Sequence, residues 1–336
     1  MLKRRINIVL LLVFSLIGLA LTTENKNTHA KKWGFAGHIR INRIAVFTLP
    51  PELFGFYKEH IEYISEHAPD PDKRRYAVVG EAECHYIDID HYVKAGEDPF
   101  TVVPKKWDDA VKKYSEDTLR AYGIVPWHIQ LVLKKLERAF AAKNVDLILK
   151  YSADLGHYIG DAHVPLHTTE NYNGQMSNQR GIHGFWETRL VELNYNTYDY
   201  FVGKAKYVKD PLDLAWNAVK TSHLALDSVF RFEKELTAEF PPDKKYAYEQ
   251  RGKMTIQTYS YDFSQTYNKR LNGMVERRMK DAIIAVGSMW YTAWVNAGQP
   301  DLSTIQNAKP SEELLNEFKE LEKQYQEHKA KGRICD

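Results

Sequence analysis

From Trp33 onward, apolar positions recur every three or four residues in long stretches cut by short Pro, Gly and Asp punctuation, and sustained β-branched alternation is scarce. That period belongs to amphipathic helices. Ile39 to Leu49 predicts a first helix, and Pro50-Pro51 stops it and starts another running to about His67. Trp127 to about Ala142 and Val145 to about Ala162 predict two more, the second ending near Pro165. Asn171 to Gly184, rich in Asn, Gly, Gln and Ser, predicts a loop before a helix from about Phe185 to Leu193. Pro211 to about Leu236 and Gly273 to about Ala297 predict further helices, and Ser311 to about Ala330 a charged amphipathic one. Residues 237–268 hold Pro241, Pro242 and the aromatic run Tyr246, Tyr248, Tyr259, Tyr261, Phe263 and Tyr267, which predicts irregular structure. The expected fold is all-α, a single multi-helix domain without internal repeats.

The amino terminus changes the picture of what the mature chain is. Lys3, Arg4 and Arg5 precede an apolar run from Ile8 to Leu21, the layout of a secretory leader. Residues 1–22 are therefore assigned as a signal peptide, with a cleavage point as late as 30–32 as the alternative. The main domain is expected over 33–300, with a charged helical extension over 301–336. Export to the periplasm or the medium follows, an uncleaved membrane anchor being the minor alternative. Formal charge is +2 over all 336 residues, but from Trp33 on it is −3, because the leader is basic. A near-neutral mature chain lacks the footprint of a protein that grips a phosphate backbone over a wide surface. Cys84 and Cys335 are the only cysteines and imply no disulfide framework.

Thirteen histidines occur, and several stand beside carboxylates at ligand spacing. In His157-Tyr-Ile-Gly-Asp161-Ala-His163-Val-Pro-Leu-His167, His157 and Asp161 lie four apart and share a helix face, while Pro165 ends the helix and turns His167 toward a neighbouring site. His183 and Glu187 form a second such pair. Asp70 and Asp72 in Ala-Pro-Asp-Pro-Asp and His85 in Cys-His-Tyr-Ile-Asp add ligands from loop-like surroundings. His38 follows two glycines in Trp33-Gly-Phe-Ala-Gly-His38. One such helical pair is more often a surface or core contact than a ligand set, but the accumulation here favours a metal. His163 points roughly 140° away from the shared face and is expected to pack.

These motifs, in this order from Trp33 to Glu187, resemble the superfamily of bacterial zinc-dependent phospholipases C and fungal and plant single-strand nucleases. The resemblance implies an all-helical fold with three Zn2+ ions, two to three being the range considered. One ion would take Asp70, His85, His157 and Asp161. A second would take His167, His183 and Glu187. The third would take His38, the bridging Asp161, and the amino group and carbonyl of Trp33. Asp70 is preferred to Asp72 by its place after Pro, with Asp72 then pairing to Arg74 or Arg75. Asp70 and Asp161 are also the expected catalytic carboxylates.

Hydrolysing a phosphodiester at neutral pH needs a hydroxide nucleophile and positive charge where negative charge grows, and zinc supplies both. The expected activity is zinc-dependent phosphodiester hydrolysis, on single-stranded nucleic acid or on a phospholipid head group. His-x3-Glu resembles the phospholipases, Trp-Gly-x-x-Gly-His the nucleases. The alternative is an exported zinc-binding protein without catalysis. No protein partner is inferred.

Overall fold

A computed structural model describes residues 34–251, 254–327 and 331. The leader and Trp33, and with them the expected amine ligand, lie outside the described residues. Among the described residues the chain folds as helices plus one two-stranded sheet. In order come α1 (Phe35–Ala45), α2 (Pro51–Glu59), α3 (Ile61–Glu66), α4 (Asp70–Arg74), α5 (Pro99–Val102), α6 (Trp107–Tyr114), α7 (Glu116–Ala121), α8 (Val125–Ala141) and α9 (Val145–Ala162). After a turn at Pro165–Thr168 come α10 (Ile182–Gly184), a π-helical turn (Phe185–Arg189), α11 (Leu190–Asn194), α12 (Pro211–Leu224) and α13 (Leu226–Glu239). Strands β1 (Tyr246–Arg251) and β2 (Met254–Tyr259) precede α14 (Tyr261–Arg270), α15 (Met274–Asn296) and α16 (Glu312–Gln326). No described helix is long and apolar enough to cross a membrane.

Helix α9 is the axis on which the rest is assembled. Asn144 caps it by accepting from the Leu147 N–H at 3.1 Å, and every residue from Ser152 to Ala162 is buried. A helix enclosed on all sides needs neighbours all round. Helices α1, α8, α12 and α15 supply them. Helix α1 and the turn that follows it approach α9 and α15 closely because both present a glycine: a Cβ on Gly156 would run into the Asn42 side chain of α1, and one on Gly287 into Thr48 Oγ1 of the turn. Asn42 spends its amide on the carbonyls of Ile64 and Ala153, at 3.3 and 3.1 Å, which ties α1 to α3 and α9. Above this layer Trp290 donates to the Ser152 carbonyl at 3.0 Å and stacks on Tyr57 at 4.8 Å.

Three stretches depart from the expected elements. The segment expected as one helix to His67 breaks at His60 into α2 and α3, and that expected from Pro211 to Leu236 breaks at Ala225 into α12 and α13. The aromatic stretch is ordered: β1 and β2 pair, and Ser260 caps α14. The hairpin tip, residues 248–256, is a unit separate from the body formed by residues 32–247 and 257–336. Within the body, Tyr259, Phe263 and Tyr267 are buried and gather round Phe185, with centroids 3.8, 5.8 and 4.9 Å away. These aromatics are core, packed against the π-helical turn that carries Glu187.

Candidate metal centre

Six stretches of chain deliver the site, among them α4 with Asp72 and the Pro165–Thr168 turn with His167. Helix α9 presents His157 and Asp161 on one face, as their spacing requires. His85 closes the short 3-10 turn Ala82–Cys84, and the segment around it is held on both sides: the Ile87 N–H donates to the His167 carbonyl at 2.9 Å, and the Ile124 and Val125 N–H groups donate to the Glu83 and Tyr86 carbonyls at 2.8 and 3.1 Å. That approach needs Gly123, at φ +90°, because any Cβ there would overlap the Tyr86 carbonyl. His183 and Glu187 come from α10 and the π-helical turn, and His38 from α1. A π turn widens the helix and re-aims its side chains, a device frequent at functional sites.

Ring nitrogens and carboxylate oxygens converge at two places. In the first, His157 Nε2 lies 3.0 Å from His85 Nδ1, and Asp161 Oδ2 lies 2.9 Å from His85 Nδ1 and 3.2 Å from His157 Nε2. In the second, His183 Nε2 lies 3.1 Å from His167 Nε2, with Glu187 Oε2 at 2.8 and 3.3 Å from the two. A third grouping links them: His38 Nε2 lies 3.4 Å from Asp161 Oδ1 and 3.7 Å from Glu187 Oε1. Both carboxylates are thus shared, one oxygen to each grouping.

The outward-facing nitrogens settle what these rings offer. His157 Nδ1–H donates to the Ala68 carbonyl at 2.9 Å, His167 Nδ1–H to the His85 carbonyl at 2.6 Å and His183 Nδ1–H to the Tyr172 carbonyl at 3.2 Å. Each ring therefore turns an Nε2 lone pair inward. His85 is reversed, its Nδ1 inward and its Nε2 3.5 Å from Glu81 Oε1. Lone pairs facing one another at 3.0 and 3.1 Å beside carboxylate oxygens repel unless a cation lies among them. Tetrahedral zinc with ligand bonds of about 2.0–2.1 Å would hold its donor atoms roughly 3.3 Å apart. The donor set and spacing fit zinc. His38 Nδ1 and His85 Nε2 are buried without a hydrogen-bond partner among the described residues.

Electrostatics agree. Burial disfavours charge on Asp161 and Glu187, yet the surrounding imidazoles outweigh it and hold both well below the usual carboxylate range. Burial likewise opposes protonation of His85, but Asp161 and Glu81 raise its pKa to about 9. His157 is pushed down by burial. Asp161 and Glu187 thus stay ionised among the imidazoles.

Of the two aspartates in Pro-Asp-Pro-Asp, the structure brings Asp72 rather than Asp70 to this centre. Asp70 is buried against His67 Nδ1 at 2.6 Å and Lys73 Nζ at 2.8 Å, both of which lower its pKa against burial. Asp72 Oδ1 lies 3.7 Å from His85 Nδ1 and 3.8 Å from His157 Nε2, and 3.5 Å from Arg75. The groups with metal-ligand geometry are His38, Asp72 and His157; His85, His157 and Asp161; His167, His183 and Glu187; and His38, Asp161 and Glu187. Asp70 belongs to none of them; in this motif it is the Asp72 carboxylate that has metal-ligand geometry. His163 donates from Nδ1 to the Ile159 carbonyl at 2.7 Å and packs, its pKa pushed down to about 3 by burial and Arg278.

A supporting layer behind His85 carried no motif in the sequence. Arg74 donates to Asp154 at 3.0 Å, Tyr158 at 3.1 Å and Glu81 at 3.4 Å, and Tyr158 donates to Glu81. Irregular spacing hid this network.

A mostly helical body that gathers imidazoles and carboxylates at metal-ligand spacing has the construction of a metal-dependent hydrolase. The S1/P1 nuclease family pattern matches residues 33–289, and the chain belongs to that family. Its members are zinc-dependent phosphodiesterases, and this chain is accordingly an enzyme of nuclease-like phosphodiester hydrolysis. No curated protein gives a significant match.

Proposed function

We propose that this chain cleaves single-stranded nucleic acid with zinc held at three adjoining positions. The observation that carries the proposal is the pair of inward-facing imidazole couples, 3.0 and 3.1 Å apart, each completed by a carboxylate. Asp72, His85, His157 and Asp161 would hold one ion; His167, His183 and Glu187 a second; His38, Asp161 and Glu187, with Trp33 at a processed amino terminus, a third. Zinc bound there supplies Lewis acidity and water of lowered pKa. Asp161 and Glu187, each with its two oxygens in different groupings, would link neighbouring positions. The imidazoles of His157, His167 and His183, each locked by a backbone carbonyl, and that of His85 beside Glu81 would offer their inward nitrogens with little reorganisation.

The mostly apolar recess beside His38 and Glu187, lined by Gly37, Val164, Trp186, Val275 and Met279, offers a wall against which part of a substrate could lie. The basic leader and apolar run support export, the setting in which Trp33 would become the first residue.

The test is hydrolysis of single-stranded DNA, duplex DNA and phosphatidylcholine vesicles by the exported protein, with zinc and after chelation. Zinc-dependent cleavage of the single strand is expected, with His183→Ala reducing it by more than about 100-fold. Cleavage of phosphatidylcholine alone would transfer the site to a phospholipase reading, and bound zinc with neither activity to a binding protein.

A further inference from the structure

Helix α16 begins at Glu312, beyond the 33–289 stretch shared with the family, yet it packs on the loop that serves the metal centre. Ser311 caps it, and Leu314, Phe318, Leu321 and Tyr325 recur at spacings of four, three and four to form its inner face. Phe318 lies against His67, centroids 3.9 Å apart, and edge-on to Tyr63 at 5.7 Å. Glu322 reaches Lys73 Nζ at 3.3 Å, and Lys73 bonds Asp70, which bonds His67. The chain Phe318–His67–Asp70–Lys73–Glu322 thus closes on itself around one end of α4. Past the helix, Lys331 donates from its backbone N–H to the Arg75 carbonyl at 2.9 Å and from Nζ to the Ala77 carbonyl at 2.7 Å. Tyr325 meets Tyr76 at 5.2 Å and Phe35 at 6.0 Å.

What the loop carries makes the clamp consequential. It supplies the Asp72 carboxylate, and its Ala68 carbonyl fixes the tautomer and tilt of His157. Helix α4 has five residues, too few to hold its own conformation. Arg75, 3.5 Å away, competes for Asp72. The second ion's donors, His167, His183 and Glu187, are oriented by the His85 and Tyr172 carbonyls and by the π turn, all outside this loop.

We infer that α16 and Lys331 act as a positioning clamp that sets metal affinity at the Asp72–His85–His157–Asp161 group and leaves the His167–His183–Glu187 group untouched. This rests on the zinc reading above. It also gives Asp70 a role, as the inner post of the clamp.

The test is zinc stoichiometry and affinity of the full-length protein under chelator competition, comparing the wild type with the double variant Phe318→Ala, Glu322→Ala. One ion per chain should bind at least about tenfold more weakly, the cost typical of losing the groups that orient ligands, while the others keep their affinity. Glu322→Gln, which preserves packing, should shift the same ion by a smaller factor, and Phe318→Tyr should restore wild-type affinity. Unchanged affinity for every ion, or equal weakening of all of them, would overturn the clamp, the second because general loosening has no preference among sites. A wild type that binds no zinc would instead remove the reading on which the clamp rests, so the two failures are distinct.

Discussion

Asp70 and Asp72 are two positions apart on a helix that turns about 100° per residue, so their side chains leave α4 in nearly opposite directions. One goes to His67 and Lys73, the other toward His85 and His157. The consequence is measurable in zinc content. Asp72→Asn is expected to remove one ion and to cut hydrolysis by more than about 100-fold, whereas Asp70→Asn, which only loosens orientation, should cost about tenfold or less. The reverse order would restore Asp70 as the ligand. At this scale the sequence was legible where a helix dictated geometry: His157 with Asp161 and His183 with Glu187 are neighbours because they are four residues apart. It was not legible where rotation of a single short turn decided, as at Asp72. Glu81 and Arg74 were hidden for a related reason, since their meeting behind His85 depends on tertiary contact alone.

Among elements, the decisive feature is the close crossing of α1 on α9. His38 rides on α1 and must come within reach of Asp161 on α9, which the absence of a side chain at Gly156 permits. Gly156→Ala would force the buried Asn42 aside and break its bonds to Ile64 and Ala153. A loss of about 1–3 kcal/mol is expected in denaturant unfolding, the usual range for overpacking a tight core. Zinc affinity at the His38 grouping should fall with it, and a variant as stable as wild type would show that the crossing can slide. Long elements such as α9 and α15 were readable because their periodicity is strong and a cap or glycine marks an end. The breaks at His60 and Ala225 were not, since neither position holds a proline or glycine. The β1–β2 pair was missed because its aromatic content signals burial without naming a period.

Over the whole molecule, the candidate ligands come from positions 38, 72, 85, 157, 161, 167, 183 and 187, so bound ions would cross-link segments that the helical core only brings near one another. Metal that binds the folded but not the unfolded chain adds stability by mass action, about 2.7 kcal/mol for each ion at a free concentration a hundred times its Kd. With two or three ions, chelation should lower Tm by on the order of 10 °C. The fall should shrink in steps as ligand groups are removed: His183→Ala should abolish one increment and His157→Ala another, each variant already melting lower before chelator is added. A chelated wild type that melts with the untreated protein would mean that the helical core holds these segments unaided. The converging lone pairs make that outcome the costly one, because without a cation the inward-facing imidazoles must take up a proton or move apart. Removing metal should therefore loosen α9 and the His85 segment before the outer helices, and amide exchange in residues 83–89 and 157–167 should rise first.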